Sequence, residues 1–129
     1  MPITLELRED KRVLYAVVAD PLSAEDLNNS IVEQTPIYDN AQGKLHQFVN
    51  VSGVTRLPSG ILGIRRDSPI FQHRNSGQLI IVGAHGFVRS VGEVLMKIAH
   101  FESVKFFGDE TEAWDYLRTV IANEKAAER

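Results

Sequence analysis

The fifteen residues Asn50-Val51-Ser52-Gly53-Val54-Thr55-Arg56-Leu57-Pro58-Ser59-Gly60-Ile61-Leu62-Gly63-Ile64 gather the side chains best placed to do chemistry. Ser52, Thr55, Arg56 and Ser59 offer hydroxyl and guanidinium donors, the types that meet an anionic group or a polar partner surface. The same residues are also ordinary turn formers. Ser59 stands where the apolar run Ile61, Leu62, Ile64 opens a short helix, so it reads first as an N-cap accepting from a free backbone N–H. That position also tolerates a phosphate, because unpaired N–H groups and the positive end of the helix dipole favour an anion. A second cluster follows the apolar stretch Leu79 to Ala84: His85, in a His85-Gly86 turn, with Arg89 one helical turn on, a pair able to hold an anionic group or simply to end a surface turn.

Other chemistries find no support in the spacing. His46, His73, His85 and His100 do not fall at a metal-ligand spacing, and there are no cysteines to supply thiolates, so no metal is expected. Gly60-Ile61-Leu62-Gly63 and Gly83-Ala84-His85-Gly86 are too sparse for a dinucleotide or phosphate loop, and no cofactor is expected either. Ser52 or Ser59 with His85 and Asp20 would make a nucleophilic triad on paper, yet no G-x-S-x-G elbow presents the serine. The expectation is a protein that is not an enzyme.

These residues need a scaffold, and 129 residues suffice for one self-sufficient core. A composition 43% hydrophobic and 24% charged is that of an ordinary globular chain. The formal charge of −3, with no basic run interleaved with aromatics, argues against nucleic acid. No run approaches the eighteen or so apolar residues of a membrane span, and the absence of cysteine fits a reducing compartment, so a cytoplasmic location is expected.

Ile3, Leu5 and Leu7 alternate with Thr4, Glu6 and Arg8 as a half-wet strand, and Val13 to Ala19 is apolar on both faces. Across the polar turn Arg8 to Arg12 the two form a hairpin. Ser23 with Asp26 makes a capping box for a helix from Ala24, with Leu22 and Leu27 as a staple; Pro36 is expected to end it and leave 37–43 as loop. A strand covers Lys44 to Val51, a short helix ends near Asp67 before Ser68-Pro69, and Asn75-Ser76-Gly77 closes that excursion. Leu79 to Ala84 reads as a central parallel strand. Val88, Val91, Val94, Leu95 and Ile98 mark a core-facing helix reaching to Phe101, and Val104 to Phe107 is the last strand. Asp109 then caps a helix in which Trp114, Leu117 and Ile121 face inward, while 124–129 is expected to fray, leaving 1–123 as a single domain. The order β-β-α-β-α-β-α-β-α predicts an α/β fold with a mixed, mostly parallel sheet and about four helices.

That order, with the strand, crest and helix from Asn50-Val51-Ser52 through Leu57-Pro58-Ser59-Gly60-Ile61-Leu62-Gly63-Ile64, resembles the STAS domain of anti-sigma-factor antagonists and of the cytoplasmic ends of sulfate transporters. The likeness covers nearly the whole chain. Those antagonists carry Asp-Leu-Ser and then Asp-Ser-Ser-Gly-Leu-Gly; here Asn50 stands at the first acid, Pro58 at the second, and Ser59 at the phosphorylated serine. The ending Val104-Lys105-Phe106-Phe107-Gly108-Asp109-Glu110-Thr111-Glu112-Ala113-Trp114-Asp115-Tyr116-Leu117 is similar to that of bacterial SpoIIAA-like proteins, a branch related to lipid-binding folds. The resemblance implies a regulatory module that meets a signalling protein, such as an anti-sigma factor or kinase, through Asn50, Ser52, Thr55, Arg56 and Ser59, with Ser59 as phosphoacceptor; it leaves a homodimer open. The alternative it implies is a sensor of a small apolar or lipid-like ligand lined by Phe48, Phe71 and Phe87.

Overall fold

A computed structural model describes residues 2–56, 73–98 and 103–128. Five strands, β1 (Ile3–Arg8), β2 (Val13–Ala19), β3 (Leu45–Gly53), β4 (Ser76–Val82) and β5 (Val104–Phe107), lie in one sheet in sequence order. β1 runs antiparallel to β2 as a hairpin, and every later neighbour is parallel. Three helices accompany them, α1 (Ala24–Asp39), α2 (Gly86–Ile98) and α3 (Glu110–Ala127). The α/β class and the mixed sheet are as expected. The fourth helix, expected between Ile61 and Asp67, lies outside the described residues. Among those described, no helix is long and apolar enough to cross a membrane.

Alternation along the strands sorts the core into two layers. Val13, Phe48, Ile80 and Val82 face α3, where Ala113, Trp114, Leu117 and Ile121 complete a buried cluster. Leu14 and Leu45 point the other way and bury Tyr38 of α1. The Phe106 ring faces Gly92 of α2, where an added Cβ would lie 3.7 Å from it, while its neighbour Phe107 packs at a tilt on Tyr116 of α3, so α2 shares the α1 side. Val94, expected in the core-facing stripe, is exposed. It lies roughly 200° around the helix from Gly92, which turns toward the sheet.

α1 starts as expected, with the reciprocal Ser23–Asp26 capping box, but Pro36 does not end it. The missing N–H frees only the carbonyl of Val32, a residue 71% exposed, so the deficit falls on the wet side. The helix continues, Asn40 N–H donates to the Pro36 carbonyl, and Tyr38 is buried instead of lying in a loop. Its inward stripe is partly polar. The Gln47 side chain of β3 donates to Gln34 Oε1 at 2.7 Å, and Gln34 donates to Ser30 Oγ at 2.9 Å, with all three residues buried. Satisfied in this way, the amides cost little and fix which face α1 presents.

Asp109 caps α3 through the Glu112 N–H, and the helix extends to Ala127 where fraying was expected from Glu124. Polar contacts with the sheet and the hairpin turn account for the extension. Glu124 meets His46 at 2.8 Å and Glu128 meets Arg12 at 3.0 Å, while Lys125 lies 3.7 Å from Asp10. Asp10 belongs to the hairpin turn, in which Glu9, Asp10 and Lys11 all have left-handed φ, at 53°, 56° and 65°. Such a conformation costs about 1–2 kcal/mol per non-glycine residue, and a run of three is rare.

Burial of Tyr38 raises its phenol pKa well above the usual value, and Tyr15 is raised by burial and by its hydrogen bond to Glu110. The folded state therefore keeps two protons that the unfolded chain loses near pH 10. Stability from this source is complete below about pH 10 and falls as pH rises beyond it, by at most about 1.4 kcal/mol per pH unit for Tyr38. Denaturant melts across that range should show the decline, and Tyr38→Phe should flatten it. A Tyr38→Phe profile as steep as the wild type would assign the decline to other groups.

Candidate functional site

The carboxyl ends of β2, β3, β4 and β5 place Asp20, the segment Asn50–Arg56, Gly83–Gly86 and Asp109–Glu110 along one edge of the sheet, the edge where α/β folds bind ligands and partners. β3 outlasts its expected end and carries Ser52 and Gly53 out into solvent. The segment after it is held in place from both sides.

On one side, Asp20 accepts from the Thr55 backbone N–H at 3.0 Å and from Thr55 Oγ1. These bonds, first the Thr55 hydroxyl, then its N–H and that of Arg56, lower the Asp20 carboxyl pKa. Asp20 N–H donates to the Gly53 carbonyl at 3.1 Å, closing the link between the ends of β2 and β3. On the other side, Asn50 accepts through Oδ1 from Ser52 N–H at 2.9 Å and from Ser52 Oγ at 2.6 Å, while its amide nitrogen donates to Glu110 Oε2. The same carboxylate oxygen accepts from Tyr15 Oη at 3.0 Å. One acid at the first turn of α3 thus orients the Asn50 amide, and that amide orients Ser52.

Gly83 brings the β4 end up against this group. Its φ of 81° is left-handed, and a Cβ there would lie 2.7 Å from Ser52 Cβ. Only glycine allows both the bend and the approach.

The expected residues divide accordingly. Asn50 and Ser52 are joined in one network, Thr55 is pinned to Asp20, and Arg56 is exposed beside them. Ser59 and the remaining crest to Ile64 lie outside the described residues. His85 is exposed at the end of β4. Arg89 is turned along its own helix, pairing with Glu93 at 3.0 Å over the Phe106 ring.

Tyr15 and Glu110 were not expected at the site. Glu110 reads in sequence as a first-turn acid favoured by the dipole, and nothing in its spacing points sixty residues back to Asn50. Among the described residues, no group of three or more His, Asp or Glu side chains is arranged to hold a metal ion. No family model and no characterised protein sequence matches the chain.

Proposed function

We propose that the chain is a non-enzymatic regulatory module of STAS type, which binds a protein partner through the crest from Ser52 to Ile64 and is switched by phosphorylation at Ser59. The observation that carries the reading is the bracing of an exposed polar segment: Ser52, Thr55 and Arg56 are exposed while Asp20 and Asn50 hold the backbone at Thr55 and Ser52, and Glu110 holds the Asn50 amide. A preorganised polar surface loses little freedom on binding, which favours a protein contact. The alternative of an apolar ligand draws less support. Phe48 is fully buried and stacked 4.3 Å from Trp114, so it belongs to the core and lines no ligand space; Phe71 and the Phe87 side chain lie outside the described residues. A hollow of about 130 Å³ between β1 and α1 is lined by Pro2, Ile3, Asp26, Asn29, Ser30 and Glu33, too polar for such a ligand.

The test compares affinity capture from native lysate for wild type, Arg56→Glu, Ser59→Asp and Ser59→Ala, each with a thermal melt. Arg56→Glu should lose the partner without loss of stability. Ser59→Asp should keep the fold, because an acid also caps a helix, and should change the partners captured. Ser59→Ala should cost about 1 kcal/mol and retain them. Identical capture by Arg56→Glu, Ser59→Asp and wild type would refute both the surface and the switch.

A further inference from the structure

The turn joining β1 to β2 combines a strained backbone with a ring of ion pairs. Its three central residues, Glu9, Asp10 and Lys11, all sit in the left-handed region that L-residues enter only at a cost. Around them, ion pairs tie the turn to the middle and the C-terminal end of α3: Glu9 to Arg118 at 2.8 Å, Asp10 to Lys125 at 3.7 Å, and Arg12 to Glu128, just past the helix, through two bonds of 3.0 and 3.2 Å. Strained backbone persists where surrounding contacts over-determine it. Here those contacts are exposed charges, the kind that salt screens and that hold only weakly. The strain, on Glu9, Asp10 and Lys11, and the ion pairs, from Glu9, Asp10 and Arg12, meet in one four-residue turn and share Glu9 and Asp10, so the turn can relax when the pairs weaken.

We propose that this turn is a salt-sensitive clasp on α3. Closed, it keeps the last two turns of the helix over the amino ends of β2 and β3, where Ile121 covers the Val13 cluster and Glu124 meets the buried His46. Open, the turn leaves the left-handed region and those helical turns detach, uncovering Val13 and His46, while Ala113, Trp114 and Leu117 stay packed. The device responds to ionic strength and involves no residue of the crest.

Amide hydrogen exchange on the full chain tests it, with about 0.05 M and about 0.5 M sodium chloride, on either side of the concentration where the Debye length is about 10 Å. Exchange across 120–127 should quicken on the order of fivefold at the higher salt, a change matching one weakened set of contacts, while 113–117 stays unchanged. Lys11 makes none of the three pairs, so Lys11→Gly relieves strain without touching them. It should raise the folding equilibrium constant by up to roughly tenfold, the relief of strain being partly offset by glycine's larger entropy loss on folding, and weaken the salt response. Arg118→Gln should instead quicken 120–127 at low salt. Salt-independent exchange in the wild type would overturn the clasp, as would a Lys11→Gly chain no more stable than the wild type.

Discussion

Trp114→Ala should lower stability by about 3–5 kcal/mol, the largest single loss expected of any side chain in α3. The indole is 9% exposed and stacks 4.3 Å from Phe48 and 6.0 Å from Tyr15, with the guanidinium of Arg8 lying 3.7 Å from the Tyr15 ring. Truncation therefore leaves a cavity between α3 and the sheet and removes two aromatic pairs, each worth about 0.5–1.5 kcal/mol beyond its area. Trp114→Phe, which keeps a ring against Phe48, should lose much less. Urea denaturation followed by circular dichroism measures both, since Trp114 is the sole tryptophan and its own fluorescence is gone. Equal midpoints for Trp114→Ala and wild type would mean that α3 does not hold the sheet.

Gly77→Ala should cost about 2–4 kcal/mol, a large effect for one methyl group. The added carbon would lie 2.4 Å from His46 Nδ1 and 2.7 Å from Cε1, so the ring must leave. His46 is buried between two partners. Its Nδ1 accepts the Gln78 N–H at 2.8 Å, which places the proton on Nε2, and Nε2 donates to Glu124 at 2.8 Å. Displacing the ring breaks both bonds, and an unsatisfied buried polar group costs about 1–3 kcal/mol. A double-mutant cycle isolates the cause: on a His46→Ala background the clash is gone, and Gly77→Ala should then cost little. An undiminished cost on that background would place the effect in the strand backbone.

Local signals carried the sheet and most helix starts. The alternation of Ile3, Leu5 and Leu7, the unbroken apolar run at Val13 and the Ser23 and Asp109 caps all act within a few residues, and each appears in the structure where it was expected. Pro36 misled because its effect depends on where the orphaned carbonyl points, which local rules do not say. The polar stripe of Ser30 and Gln34 hid the inward face of α1, since those side chains are buried only by bonding to Gln47 on another element. At the site, Asn50 and Ser52 were legible as a strand-end pair, two residues apart. Glu110, which orients Asn50, and Asp20, which pins Thr55, come from sequence separations of 60 and 35, and only the closed sheet brings them near. Gly77 falls in a turn-like Asn75-Ser76-Gly77 string, yet it is a strand residue kept small by a histidine on the neighbouring strand.

The strands are laid down in sequence order, whereas α3 crosses back from β5 to cover β2 and β3. This separates the two faces in time during synthesis. The Leu14 and Leu45 face can close as soon as β3 has paired, because α1 precedes it in the chain. Among the described residues, the opposite face, with Val13, Phe48 and Ile80, has no cover until Trp114, Leu117 and Ile121 leave the ribosome. At roughly 5–20 residues per second the nascent chain carries that apolar surface, unshielded, for several seconds. A nascent chain stalled before Glu110 should therefore be the form that chaperones hold most strongly, and release of α3 should be what ends their grip.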